Sequence, residues 1–158
     1  MRNRTLAALA ALVLLAVGSP AAAAQGSGLY SIDMGEQQQL TCVLFDEPSA
    51  STHIVATCAA TFPVTWKLKD GAHEQAAKLE ISQSTTGELS VHASKKPLIT
   101  TMIMPKKITE ITKINRLYVV PGENEVRFFS TNRDANPVLI TPDSYEVLKD
   151  STAKVKAT

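Results

Sequence analysis

The feature of this chain that most restricts its fold is a series of short segments in which apolar and polar residues alternate. Residues 40–44, 54–58 and 89–93 show the pattern, and turn signals such as Pro121-Gly122-Glu123-Asn124 separate such segments. Alternation has the two-residue period of a β-strand, and Gly, Pro, Asn and Asp favour turns. About nine such segments, spaced roughly ten residues apart, are typical of sandwiches and barrels. The sequence predicts an all-β fold, an antiparallel β-sandwich of immunoglobulin-like or jelly-roll type, with a small β-barrel as the alternative.

The remaining strands are predicted from the same alternation or from short apolar runs, at residues 64–68, 79–81, 98–104, 117–120, 126–129 and 138–140. Residues 145–147 fit a strand or one short helix. In ITEITKINRL, residues 108–117, an apolar residue recurs at every third position. We interpret this segment as a strand with apolar residues on both faces, or one interrupted by a bulge.

The first 24 residues have the organisation of a secretory signal peptide. Arg2 and Arg4 precede an unbroken apolar run over residues 6–17, and Ala22-Ala23-Ala24 forms a small-residue cleavage site. The apolar run is shorter than the roughly 20 residues that span a bilayer. We therefore expect residues 1–24 to be removed, no membrane span after cleavage, and a secreted or periplasmic protein.

Residues 25–158 have the length of one domain and are predicted to form a single all-β domain. Without Arg2 and Arg4 the chain has 14 basic and 15 acidic residues, a formal net charge of −1. This charge, the predicted export and the scarcity of aromatic residues argue against a nucleic-acid partner.

Both cysteines lie in TCVLFDEPSASTHIVATC, residues 41–58. In an antiparallel hairpin the numbers of paired residues have a constant sum, and placing Cys42 opposite Cys58 also pairs Leu44 with Ala56. An exported protein meets an oxidising environment, so we predict a cross-strand disulfide. The spacing does not fit a C-x-x-C redox motif, and His53 alone does not complete a zinc site.

Two stretches resemble immunoglobulin domains. LTC, residues 40–42, and VTWKLKDG, residues 64–71, are similar to the cysteine-bearing and tryptophan-bearing strands of that fold. The chain has no second cysteine in a late D-x-G-x-Y-x-C strand. The resemblance implies a sandwich.

VHASKKPLITTMIMP, residues 91–105, contains one histidine and two methionines that suit soft Cu(I). The pattern resembles the His…Met-x-Met of small periplasmic copper chaperones, and this resemblance implies His92, Met102 and Met104 as ligands. Those proteins have a tryptophan just before the methionines, which is absent here. The alternative interpretation places both methionines in the core and leaves His92 exposed.

Residues 95–116 are strongly basic, with one acidic residue, Glu110, against Lys95, Lys96, Lys106, Lys107, Lys113 and Arg116. They predict either a patch for an anionic partner or strand ends that lysines protect from edge-to-edge pairing.

The sequence contains no G-x-S-x-G elbow, no H-E-x-x-H motif and no phosphate-binding glycine loop. We therefore expect a non-enzymatic module that needs no cofactor and binds another protein or an anionic glycan. A periplasmic carrier of Cu(I) is the second hypothesis, and a small hydrolase is the third.

Overall fold

The computed structural model describes residues 27–48, 50–69, 71–100, 104–132 and 134–149, so the predicted signal peptide lies outside the described residues. These residues contain no helix long and apolar enough to cross a membrane. They form thirteen strands: β1 (Ser27–Asp33), β2 (Gln39–Phe45), β3 (Ile54–Ala60), β4 (Lys67–Leu68), β5 (Gly71–Gln75), β6 (Lys78–Gln83), β7 (Leu89–Ser94), β8 (Lys106–Ile108), β9 (Thr112–Ile114), β10 (Leu117–Gly122), β11 (Glu125–Ser130), β12 (Val138–Ile140) and β13 (Tyr145–Val147).

Two sheets account for most of these strands. A six-stranded sheet has the order β7-β6-β3-β2-β1-β8, and a five-stranded sheet has the order β13-β12-β11-β10-β9. All of their pairs are antiparallel except β1 with β8, which is parallel. The sheets are not closed into a barrel, so the predicted β-sandwich is confirmed and the barrel alternative is wrong.

The core lies between the two sheets because the strands bury alternate residues. Burial alternates along β2 and β6 in one sheet, and along β11 and β12 in the other. The largest fully buried side chains include Trp66, Phe128, Ile32 and Leu40. Contacts of β7 with β12 and β13 define one side of the sandwich, while β1 contacts β10 on the other. Strands β8 and β9 therefore lie together at that second side.

The predicted hairpin has the expected register. Strand β2 pairs with β3 so that Cys42 lies opposite Cys58 and Leu44 opposite Ala56. The two cysteines form a disulfide with Cα atoms 4.1 Å apart, a distance typical of a non-hydrogen-bonded pair. Both cysteines are fully buried, facing the second sheet.

Two buried polar side chains connect the parts of the sandwich. The indole N–H of Trp66 donates to the carbonyl oxygen of Thr141 over 2.7 Å, which ties the segment before β4 to the end of β12. The amide Nε2 of Gln83 in β6 donates to Oγ of Ser130 in β11 over 2.9 Å. The Gln83–Ser130 bond joins the two sheets directly, and the Trp66 bond joins the irregular segment before β4 to the five-stranded sheet.

Several strand predictions need correction. Residues 98–100 and 104 are not in a strand, and Ile99 and Met104 are almost fully exposed, while residues 101–103 of this predicted strand lie outside the described residues. Residues 64–66 are also irregular, and only Lys67 and Leu68 of that predicted strand pair. Trp66 is nevertheless fully buried, because its indole is held between the sheets rather than on a strand.

The segment ITEITKINRL is not one strand with a bulge. It contains the end of β8, all of β9 and the start of β10, and residues 109–111 cross from the six-stranded to the five-stranded sheet. Ile108 and Leu117 are buried, Ile114 packs against the core, and Ile111 is exposed on the crossing. The apolar residues at every third position therefore do not belong to one regular element, because the chain changes direction between β8 and β9 and again between β9 and β10. Residues 145–147 form a strand and not a helix.

Candidate binding surfaces

The disulfide is a structural element rather than a reactive site. Cys42 and Cys58 are both inaccessible to solvent, and the described residues contain no free cysteine. The bond links neighbouring strands of one sheet, whereas the immunoglobulin disulfide links the two sheets. The resemblance of LTC and VTWKLKDG to that family therefore does not extend to its bridge.

Two of the three candidate copper ligands, His92 and Met104, lie apart. His92 is in β7 and Met104 lies two residues before β8, which puts them at opposite edges of the six-stranded sheet. Five inter-strand spacings of about 4.8 Å separate these edges by about 24 Å, while metal–ligand bonds are about 2–2.5 Å long. Met102 lies outside the described residues. The described side chains do not include any cluster of three His, Cys, Asp or Glu residues that could hold a metal ion.

The predicted basic patch is divided by the fold. Lys95, at the end of β7, pairs with Glu74 of β5. Lys96 follows on the segment that leaves this edge, where its side chain is exposed. The remaining four basic residues lie at the other side of the sandwich, on or beside β8 and β9. The six cations are therefore close in sequence but are not one surface.

Four cations and two apolar side chains lie along this second side, on or beside β8 and β9, and we call this set the basic edge: Met104, Lys106, Lys107, Ile111, Lys113 and Arg116. All six side chains are exposed, with Met104 at 87% and Ile111 at 57% of their full accessibility. Within the described chain, none of the four cations makes an ion pair. Lys113 lies over the ring of Tyr118, with Nζ 5.9 Å from the ring centroid.

The local fold holds the basic edge in place. Asn115 occupies the turn between β9 and β10 at φ 53° and donates from Nδ2 to Oδ1 of Asp46 over 2.6 Å. Asparagine tolerates this left-handed conformation better than most residues. The bond joins the β9–β10 turn to the end of β2. Ile108 is buried, which anchors β8 beside β1 and leaves Lys106 and Lys107 exposed.

A polar cavity of about 650 Å³ lies at the opposite side of the sandwich. It is lined by His92 and Ser94 of β7, the ion-paired Lys95 and Glu74, and Lys69. No described carboxylate orients the His92 imidazole by a hydrogen bond, although a general base needs such positioning. The cavity thus brings one imidazole and one ion pair together beside β7.

Sequence reasoning missed the two apolar members of the basic edge. From the sequence, Met104 is predicted to lie in a core strand or a copper site, and Ile111 is one of the apolar residues that recur at every third position in residues 108–117. The available signal was Pro105, because proline does not continue a central strand. An apolar residue directly before such a proline can therefore lie outside the sheet.

Comparisons with protein-family models, with curated proteins and with solved structures return no significant match.

Proposed function

We propose that this protein is a secreted or periplasmic, non-enzymatic module that binds an acidic partner protein through the basic edge. The observation that carries this proposal is the combination of four exposed cations without ion pairs and two large exposed apolar side chains on one edge. Cations give electrostatic steering, and apolar side chains supply contact area that can be buried.

Protection against edge pairing accounts for only part of this surface. Lysines on a short edge strand discourage pairing between sheets, and β8 is a three-residue edge strand with two lysines. A purely protective edge gains nothing from Met104 and Ile111, because exposed apolar groups favour association. Their position on both flanks of β8 supports a binding role.

A protein partner fits these side chains better than a glycan does. A polyanionic glycan would pair with Lys106 and Lys107 but would offer Met104 and Ile111 little apolar surface. An acidic protein segment with apolar side chains matches both kinds of group. It also provides backbone groups that can bond to an exposed strand edge.

The proposed location rests on two features. Residues 1–24 have the organisation of a signal peptide, and a buried disulfide is typical of proteins in oxidising compartments. Together they support a role outside the cytoplasm, where the partner would also be found.

The test compares three forms of residues 25–158 immobilised at equal density: the unchanged chain, the variant K106E/K107E, and the control K67E/K149E. The control reverses two exposed lysines away from the basic edge. Proteins captured from an extract of the producing cell's envelope and medium are quantified by mass spectrometry. We expect at least one protein to bind the unchanged chain and the control equally, and K106E/K107E at least tenfold less.

The captured protein is then purified and titrated directly at 50 and 300 mM salt, where its affinity should fall as salt rises. Equal capture by all three forms would refute the proposal. Retention on a sulfated polysaccharide column that depends on Lys106 and Lys107, without any differential protein capture, would replace the protein partner by a glycan.

A further inference from the structure

The outer face of the six-stranded sheet, away from the five-stranded sheet, has an apolar strip. Leu29 of β1 lies directly opposite Val43 of β2, and Phe45 follows on the same face of β2. The solvent face of an antiparallel sheet is normally polar, and Thr41, Glu80 and Ser82 elsewhere on this face follow that rule. The strip is therefore a local exception to this rule.

A chain segment lies beside this strip and makes it a groove. Residues 96–100, which leave the end of β7, line one part of the cavity, and Leu29, Val43, Phe45 and Thr57 line another. The groove is open to solvent and has a volume of about 480 Å³, within the range of about 300–1,000 Å³ found for small-molecule sites. Leu98 is half-buried in this arrangement.

Two lysines also line the groove. Lys78 is paired with Glu80, with Nζ 3.0 Å from Oε1, and its side chain is only 17% exposed. Lys96 is exposed and makes no ion pair within the described chain. The groove thus combines an apolar floor with one cation available to a ligand.

We propose that this groove binds a monoanionic amphiphile, namely the carboxylate of a long alkyl chain. The alkyl chain lies along Leu29, Val43 and Phe45, and the carboxylate pairs with Lys96. This site is separate from the basic edge and does not depend on the partner proposed for it.

The floor favours an alkyl chain over a peptide. Strands β1 and β2 pair with each other, and β2 also pairs with β3, so the backbone groups of the floor are used within the sheet. A peptide laid across the apolar side chains would leave its own N–H and C=O groups without partners there, which is costly. An alkyl chain has no such groups.

The test is a calorimetric titration of residues 25–158 with dodecanoate, below its micellar concentration, and with uncharged 1-dodecanol. We expect saturable binding of one dodecanoate and at least fivefold weaker binding of dodecanol. Val43→Thr keeps the shape of the side chain and adds a hydroxyl to the floor, and it should weaken dodecanoate binding at least fivefold. Lys96→Ala should do the same, and Lys96→Arg should stay within twofold of the unchanged chain.

Lys149→Ala, an exposed lysine outside the groove, and K106E/K107E serve as controls and should bind dodecanoate normally. Because Lys96 is exposed, its variants keep the fold even if Val43→Thr does not, and thermal unfolding checks both. Absence of saturable dodecanoate binding overturns the proposal. Equal affinity in Val43→Thr, Lys96→Ala and the unchanged chain, or equal binding of dodecanol and dodecanoate, also overturns it.

Discussion

Replacing both cysteines by alanine should lower the free energy of unfolding by about 3 kcal/mol. The bond joins residues 16 apart, and in the chain-entropy model closing a loop of about that length restricts the unfolded chain by this amount. In a chain of this size such a loss corresponds to a fall in Tm of about 10 °C. The disulfide closes the β2–β3 hairpin at the centre of the six-stranded sheet, so the loss should affect the whole sandwich.

The assay is equilibrium unfolding in urea followed by tryptophan fluorescence. Trp66 is the only tryptophan and is fully buried, so its emission reports the core without labelling. Wild-type protein unfolded with a reductant should show the same loss as C42A/C58A, because both lack the cross-link. If the oxidised protein and C42A/C58A unfold within about 0.5 kcal/mol of each other, the entropic argument is refuted.

Three further substitutions test the core and one turn. Trp66→Phe should cost about 2–3 kcal/mol, because it removes the indole hydrogen bond and leaves a cavity. Ser130→Ala should cost about 1–3 kcal/mol, because the buried Gln83 amide loses its donor bond while its Oε1 already has no partner. Adding Gln83→Leu to Ser130→Ala should recover much of that loss. Gly87→Ala should cost about 1–2 kcal/mol, since Gly87 has φ 91° and the new Cβ would lie 2.7 Å from Cβ of Asn132. Thermal melting followed by circular dichroism measures all four variants.

These predictions have clear contradicting outcomes. If Gln83→Leu adds its own loss to that of Ser130→Ala, the two side chains do not act as a pair. A Gly87→Ala melt equal to that of the unchanged chain would show that the turn adapts. The exposed variant Lys149→Ala is the common control, and it should melt as the unchanged chain does.

Local alternation was sufficient to predict much of the fold. The constant-sum rule placed Cys42 opposite Cys58 correctly because one face of the hairpin is buried, and a shift of one residue would expose every apolar side chain on it. The turn predicted at Pro121-Gly122-Glu123-Asn124 is present but shorter: Pro121 and Gly122 belong to β10, and Asn124 has φ 58° in the turn itself.

Other elements depend on contacts that a local pattern does not contain. Strand β1 was missed because SGLYSID has small and polar residues, and it becomes central only by pairing with β2 and β8. Residues 98–104 have the composition of a strand, yet residues 98–100 and 104 are not in one, and Ile99 is 88% exposed.

The candidate sites were predicted less well than the fold. The six basic residues lie close in sequence, but β7 and β8 are opposite edges of the same sheet, and this separation divides them. The same strand order places His92 and Met104 at opposite edges of the six-stranded sheet. Neither the basic edge nor the outer groove could be derived without the strand order.

The sheets also divide the chain into two consecutive parts. Every strand of the six-stranded sheet lies within residues 27–108, and every strand of the five-stranded sheet lies within residues 112–147, joined by three residues. All strands of the first sheet are therefore synthesised before the strands that cover its apolar face. A nascent chain at that stage presents Leu40, Ile81 and Val91 to its surroundings. We expect a product terminated before residue 112 to aggregate unless a chaperone covers this apolar face.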